Sequence, residues 1–204
     1  MGRASRTESV RRPRLAWLKP FLFLFALLPL ARLVWLARGQ GLGANPVEYV
    51  THSTGTWALV WLLATLAVTP LRWLSGRNEL VRLRRMLGLF AFFYASLHLL
   101  TYLWWDQFFD WNEIARDVIK RPFITAGASA YLLMLPLALT STQAMMRQLG
   151  RHWQRLHRLV YGVGIAAVLH YFWLVKKDLS QPLLYGAILS LLLAARVMHW
   201  LRSK

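Results

Sequence analysis

Six long stretches of this sequence contain almost no Asp, Glu, Lys or Arg, and this pattern constrains the fold more than any other feature. A helix that crosses a bilayer needs roughly 20 apolar residues, because the hydrocarbon core is about 30 Å thick and charged side chains are costly at its centre. The sequence therefore predicts an all-α membrane protein, a bundle of six transmembrane helices. The predicted segments are 15–37, 49–71 with its helix beginning near residue 55, 86–105, 122–146, 159–175 and 179–195.

Basic residues are divided unequally between the two sides of this predicted bundle. Eighteen of the 25 Lys and Arg residues lie in or beside the N-terminus, the second and fourth connections and the C-terminus, where there are only two acidic residues. The other connections hold seven basic and six acidic residues. Because cytoplasmic loops carry the excess of Lys and Arg, both termini are predicted to be cytoplasmic. The net charge of +17 then reports orientation, and no nucleic-acid partner is expected.

The predicted organisation has three parts: a basic cytoplasmic N-terminus at 1–14, a six-helix domain at 15–198 and a short cytoplasmic tail at 199–204. No internal repeat and no Gly-rich dinucleotide fingerprint is visible in the sequence. A secretory signal peptide is a second interpretation of the first segment, but that segment is long and no small-residue cleavage site follows it. The chain has no Cys, so a metal ion would have to be held by His or carboxylates.

Two histidines, His98 and His170, lie inside predicted spans. An ionisable side chain is expensive within a membrane, so each of them is a functional candidate. Both helices are predicted to run in the same direction and to hold the two imidazoles at similar depth. Two neutral rings arranged in this way can ligate one haem iron from opposite sides. The alternatives are structural hydrogen bonds and a relay for protons or metal ions in a transporter.

A third histidine, His157, lies at the inner end of the fifth predicted helix, 13 residues before His170. That spacing corresponds to about 220° of rotation on a straight helix, so the two rings cannot serve one haem. His157 is a candidate for a second cofactor, or an interfacial His bonded to a carbonyl. Beside it, Arg151, His152 and Trp153 offer charge for a phosphate and rings for stacking. The positive-inside signal and lipid headgroups explain the same residues.

Five blocks of the sequence carry a resemblance to a known family. They are GLGANPVE from Gly41, LVRLRRMLGLFAFFYASLH from Leu80, RPFITAG from Arg121, LALTSTQAMMRQLGRHWQRLHRLVY from Leu137 and LHYFW from Leu169. Together they resemble the haem-binding membrane subunits of bacterial periplasmic methionine-sulfoxide reductase systems, the MsrQ/YedZ type. The resemblance covers roughly residues 15–198. It extends to a wider group similar to the transmembrane domain of ferric reductases and NADPH oxidases.

This resemblance implies an electron-transfer subunit in the bacterial inner membrane. Such subunits are described as binding haem b and FMN. They pass electrons from the quinone pool, or from a cytosolic flavin reductase, to a periplasmic molybdopterin enzyme that reduces protein methionine sulfoxide. The sulfoxide chemistry is therefore expected on the partner subunit. His98, His157 and His170 match the family's haem-associated histidines and are the metal ligands that the resemblance implies.

The sequence departs from the wider group near the inner end of the third helix. That group has two His on each ligand helix, but the position 14 residues before His98 is Arg84. The resemblance then implies one haem with two axial His, at His98 and His170. FMN or a quinone is expected opposite His157, with Arg84 nearby. A stand-alone quinone-dependent ferric reductase and a His-relay transporter are the alternatives, although neither broken helices nor inverted halves are evident.

Overall fold

The computed structural model describes residues 17–39 and 41–203, and every regular element in these ranges is helical. The predicted basic N-terminus at 1–14 lies outside the described residues. The helices are α1 (Leu18–Arg38), α2 (Pro46–Ser75), α3 (Val81–Thr101), α4 (Trp111–Lys120), α5 (Pro122–Leu139), α6 (Gln143–Leu149), α7 (Arg151–Leu156), α8 (Leu159–Leu174) and α9 (Ser180–Arg202). A 3₁₀ turn (Asn78–Leu80) precedes α3, and a π-helical turn (Tyr102–Asp106) follows it.

Five helical segments are long and apolar enough to cross a membrane. They are Leu18–Arg38, Pro46–Ser75, Asn78–Asp106, Pro122–Leu139 and Ser180–Arg202. Large apolar side chains such as Leu24, Trp35 and Leu191 are exposed on the outside of the bundle, as expected of a protein surrounded by lipid. The chain is thus a membrane protein. α8 has 16 residues and is about 24 Å long, so the sixth crossing stays a prediction.

Two antiparallel helix pairs form the centre of the bundle: α2 packs along α3, and α5 packs along α8. Contacts at both ends define the direction of the second pair. His170, late in α8, bonds to Phe123 at the start of α5, whereas His157, just before α8, contacts Thr140 just after α5. α1 lies against the first pair, and α9 lies against α2 and α8. The space between the two pairs is therefore enclosed by helices.

α2 begins at Pro46, so the prediction of a start near residue 55 was wrong. The side chain of Asn45 accepts a hydrogen bond from the backbone N–H of Glu48 at 3.2 Å. Proline is favoured at the first helical position because its missing N–H is not needed there. At the other end, Gly76 has a φ of 67°, a left-handed conformation that ends the helix. The cap, not the apolar stretch, sets the start of this helix.

α5 ends at Leu139, so the prediction of one helix over 122–146 was wrong at its C-terminal end. The Thr140 hydroxyl donates to the carbonyl of Pro136 at 2.6 Å. The Thr142 hydroxyl then caps α6 by accepting from the N–H of Met145 at 3.2 Å. Threonines that bond to nearby backbone compete with helix continuation. The chain therefore breaks at Thr140, which becomes a joint between α5 and α6.

Arg196 of α9 is partly buried in the bundle and completes the backbone hydrogen bonding of α2. Pro70 has no N–H, so the carbonyl of Leu66, four residues earlier, loses its helical donor. The Arg196 guanidinium donates to this carbonyl and, at 2.8 Å, to the carbonyl of Leu192. It also lies 5.5 Å from the centre of the Tyr161 ring, within cation–π range. Arg196 thus satisfies an acceptor that lipid could not.

Candidate cofactor site

A cavity of about 850 Å³ lies between the two helix pairs, at the end of the bundle where α2 and α5 begin. We call it the central cavity. Most of its wall is apolar and includes Leu59, Leu62 and Met134, and His98 and His170 are among the polar side chains that line it. Its volume is within the range of about 300–1,000 Å³ that is typical of ligand sites. Two imidazoles in an apolar cavity are suited to a largely apolar ligand that needs nitrogen donors.

The rings of His98 and His170 face each other in the central cavity. Their centroids are 5.9 Å apart and their planes differ by 75°. Nδ1 of His98 is 2.9 Å from the carbonyl oxygen of Thr51, and Nδ1 of His170 is 2.6 Å from that of Phe123. Because a carbonyl only accepts, Nδ1 carries the proton of each neutral ring and Nε2 keeps its lone pair. This is the usual hydrogen bonding of a metal-ligating histidine.

The paired rings fit the two axial positions of a haem iron. Among the described residues, no group of three or more His, Asp or Glu side chains could hold a metal ion without other ligands. The remaining ligands would have to come from a cofactor such as a porphyrin. Since a metal–nitrogen bond is about 2 Å long, a centroid separation of 5.9 Å leaves room for one metal ion between the rings. The donor set and the size of the cavity therefore suit haem.

Two glycines let these rings lie directly against a neighbouring helix. A Cβ atom on Gly55 would be 3.0 Å from Nδ1 of His98, and one on Gly127 would be 2.7 Å from Nδ1 of His170. Carbon and nitrogen atoms pack best at about 3.5–4.0 Å, so any larger residue would displace the ring. Neither glycine was predicted to be part of the site. The signal was present, because Gly55 precedes His98 by the same 43 residues as Gly127 precedes His170.

The two helix pairs repeat this geometry with a shift of 72 residues. Each contributes a carbonyl acceptor, a glycine four residues later, and a histidine on the facing helix. These are Thr51, Gly55 and His98 in the first pair and Phe123, Gly127 and His170 in the second. The acceptor and the histidine are 47 residues apart in both. The cavity is thus built from two equivalent half-sites, although no repeat was visible in the sequence.

A polar network lies beside the central cavity, near the start of α5. Asp117 of α4 is 7% exposed and accepts hydrogen bonds from the Tyr102 hydroxyl at 3.0 Å and from Nε2 of Gln107 at 2.9 Å. Nε of Arg121 lies 3.1 Å from its other oxygen. Tyr102, Gln107 and Arg121 all line the cavity. Asp117 therefore ties α4 to the π-helical turn and holds the polar groups that meet the cavity at this end.

His157 lies at the opposite end of the bundle, in a cluster with Trp153 and Thr140. Its Nε2 is 3.1 Å from the Thr140 hydroxyl, and its ring stacks on Trp153 with centroids 3.9 Å apart. Nε1 of Trp153 donates to the carbonyl of Thr140 at 2.9 Å. Burial lowers the pKa of His157 below its ordinary value, and the positive charge of Arg84 lowers it further. The His157 ring is therefore neutral at physiological pH.

Of the other predicted residues at this end, Arg84 lies near the cluster, whereas Arg151 and His152 are separate from it. Arg151 and His152 are exposed on α7, and neither side chain makes a hydrogen bond or ion pair with any other residue that the structure describes. Arg84 is partly buried and close enough to influence the charge state of His157. The structure thus brings Arg84, Trp153 and His157 together and leaves Arg151 and His152 at the surface.

The sequence of this chain is similar to those of known membrane proteins. Residues 54–168 match the model of a family described as the ferric reductase like transmembrane component. A Bordetella pertussis (strain Tohama I) protein, 57% identical over 189 residues that cover 92% of each chain, is named protein-methionine-sulfoxide reductase heme-binding subunit MsrQ. Proteins with the same name from Herminiimonas arsenicoxydans and Xanthomonas campestris pv. campestris (strain 8004) are each 54% identical. They cover 91% and 83% of this chain, and 86% and 79% of their own length. No solved structure matches the chain.

The fold and the site define a helical membrane protein with a cavity between paired histidines. The family match covers more than half of the chain, and the relatives cover nearly all of it. The chain therefore belongs to the ferric-reductase-like transmembrane family and, within it, to the MsrQ heme-binding subunits of protein-methionine-sulfoxide reductase. The family expected from the five sequence blocks is confirmed.

Proposed function

We propose that this chain is the electron-transfer subunit of a bacterial protein-methionine-sulfoxide reductase and binds one haem b between His98 and His170. The observation that carries the proposal is the pair of adjacent rings, each with Nδ1 bonded to a carbonyl and with no hydrogen bond from Nε2 to any residue that the structure describes. The printed names of the relatives support haem as the ligand. The bound haem supplies one-electron transfer, and the sulfoxide chemistry resides on a partner subunit.

The residues of this chain hold, orient and insulate the haem. The carbonyls of Thr51 and Phe123 fix the two ring orientations and increase the basicity of Nε2, which favours the oxidised iron. The apolar wall excludes water and lowers the local dielectric constant. At the outer end, Gln107 and Arg121 offer N–H donors to the carboxylates at the porphyrin edge. All of these groups are supplied by the two helix pairs and the connection between them.

We place the subunit in the bacterial inner membrane with six crossings and both termini in the cytoplasm. α8 packs antiparallel to α5 along its whole length, which supports a crossing in spite of its 16 residues. The excess of basic residues in the terminal segments and in the second and fourth connections supports this orientation. The central cavity then lies toward the periplasm. There, a soluble molybdopterin subunit can accept electrons.

A second group, FMN or a quinone, is proposed beside His157 at the cytoplasmic end. Trp153 offers a flat ring for stacking, and Arg84 offers a positive charge for a phosphate or a carbonyl. Arg151 and His152 extend this basic surface on α7. Nε2 of His157 already pairs with Thr140, and this favours a flavin or a quinone over a second haem iron. Electrons would enter here from the quinone pool or from a cytosolic flavin reductase.

The absorption spectrum of the purified protein tests the haem proposal. A dithionite-reduced b-type spectrum is expected, and a colourless protein that cannot be reconstituted with haem would overturn the proposal. Spectra with and without added FMN test the second group.

The role in sulfoxide repair is tested with vesicles that are supplied with quinol. Faster reduction of a periplasmic methionine-sulfoxide reductase than of ferric citrate is expected, whereas the reverse preference would favour a stand-alone ferric reductase.

His157→Ala is expected to retain most of the haem signal and to slow the reduction of that haem by quinol or flavin. The substitution removes the ring that stacks on Trp153 but leaves both half-sites of the central cavity intact. The reduction rate in vesicles and the low-spin haem content are measured together. Gln154→Ala, exposed on α7 and outside the proposed site, serves as the matched control. Haem loss as large as that of a His98 variant would show that His157 is needed for haem binding, and would rule out a role for it in electron entry alone.

A further inference from the structure

His98 and His170 each pack against a glycine of the facing helix, and the structure assigns Gly55 and Gly127 as positioning residues for the two axial ligands. Neither touches the proposed haem. Each instead determines how closely an imidazole approaches the carbonyl that orients it. The assignment rests on the proposed haem site and adds two residues to it that the sequence did not indicate. It follows from three observations on these two helix pairs.

The first observation is the position of each glycine relative to the carbonyl acceptor. Gly55 lies four residues after Thr51, and Gly127 lies four residues after Phe123. Side chains of an α-helix tilt toward its N-terminus, so a residue covers the turn that precedes it. A side chain at either glycine position would therefore cover the carbonyl one turn earlier. Glycine leaves that carbonyl open to a donor from another helix.

The second observation is the lack of space. A Cβ atom at residue 127 would be 2.7 Å from Nδ1 and 3.0 Å from Cε1 of His170, and one at residue 55 would be 3.0 Å from the same atoms of His98. The ring carries the hydrogen bond, so it cannot move away from the helix without lengthening that bond. Alanine would therefore shift the Nε2 lone pair away from the metal position. The closer approach at residue 127 predicts the larger effect there.

The third observation is that only these two glycines in the paired helices that the structure describes contact a histidine. Gly88 lies on the same helix as His98, and its added Cβ would be 3.6 Å from Cγ2 of Thr65. Gly162 lies on the same helix as His170, and its added Cβ would be 3.8 Å from Cδ1 of Leu133. Both distances are ordinary van der Waals contacts. Gly164 of α8 is also crowded, but its added Cβ would meet Cδ1 of Leu189 at 3.1 Å, so among these helices the close approach to a histidine ring is a property of the two half-sites.

The test compares Gly127→Ala and Gly55→Ala with Gly162→Ala and Gly88→Ala in the full-length protein. Each variant is purified in detergent, and its reduced absorption spectrum, midpoint potential and ferric electron paramagnetic resonance spectrum are recorded. The g values report the strength and orientation of axial imidazoles, which a general loss of stability would not shift. Gly127→Ala is expected to lose low-spin signal to a high-spin form. Gly55→Ala is expected to show shifted g values and potential, and both controls are expected to match the wild type.

Other results of this comparison would contradict the positioning role of Gly55 and Gly127. Unchanged g values and potentials in Gly55→Ala and Gly127→Ala would overturn the positioning role while leaving the haem proposal intact. Equal haem loss in all four variants would overturn it as well, because the effect would then be general helix disruption. A wild-type protein without haem would overturn both proposals. If Gly127→Ala does not accumulate in the membrane, Gly55→Ala decides, because its contact is less tight.

Discussion

His98→Ala and His170→Ala are each expected to abolish the low-spin b-type haem signal. Each ring supplies one of the two axial nitrogens. Among the described residues, no third His, Asp or Glu side chain is placed to bind the same metal ion. With one ring removed, the iron loses a strong-field ligand and becomes high-spin or leaves the protein. This loss of haem binding exceeds the effect expected from removing a residue that only hydrogen-bonds to a metal ligand. Such a removal typically costs about 10–100-fold in metal affinity. Haem content and the reduced-minus-oxidised spectrum of each purified variant measure it.

His52→Ala is the matched control for these two variants. His52 also lines the central cavity, but its ring does not face that of another histidine. Its removal is expected to preserve the low-spin spectrum. A six-coordinate low-spin spectrum that persists in His98→Ala or His170→Ala would show that another side chain ligates the iron. In that case the assignment of the axial pair would be wrong.

Arg196→Met is expected to lower the unfolding temperature, and Pro70→Ala is expected to remove most of that loss. Arg196 donates to the carbonyl of Leu66, which lacks a helical donor only because residue 70 is proline. Hydrogen bonds to charged groups contribute about 1.5–3 kcal/mol, and an unsatisfied carbonyl is expensive in a membrane. Alanine at residue 70 restores the helical N–H, so the Leu66 carbonyl no longer depends on Arg196.

A double-mutant cycle in detergent measures this coupling. Residues that share a partner typically show interaction energies of about 0.5–3 kcal/mol. Arg202→Met is the control, since Arg202 is exposed in the last turn of the same helix. It is expected to change stability little, with or without Pro70→Ala. Additive effects of Arg196→Met and Pro70→Ala would show that the Leu66 carbonyl is not what Arg196 stabilises.

The sequence predicted the helices of the bundle well, but not all of their ends. Charge-free stretches identify spans because the thickness of the bilayer and the cost of buried charge act on every residue of a span. Helix ends depend instead on single capping side chains, such as Asn45 before α2 and Thr142 before α6. α4 was not predicted, because it has only ten residues and lies outside the charge-free stretches. It too begins at a capping side chain, that of Asp110.

The site could be predicted only where a residue type carries its own signal. His98 and His170 were indicated because an ionisable group within a span is costly and rare. Gly55 and Gly127 carry no such signal, since glycines are common in membrane helices and their role depends on what faces them. The Asp117 network was not predicted either, because the contact of Asp117 with Tyr102 and Gln107, in and just after the π-helical turn, arises only in the folded chain.

The 72-residue shift between the half-sites has a consequence for the ancestry of this architecture. A single helix hairpin with one glycine and one histidine, dimerised about a two-fold axis along the membrane normal, would build the same cavity from two copies. Joining both copies in one chain removes the need for them to remain identical. The counterpart of His157 in the first pair is Arg85, so the two helix pairs differ at the end opposite the cavity. The protein thus combines two equivalent half-sites around the central cavity with an opposite end at which the two helix pairs carry different residues.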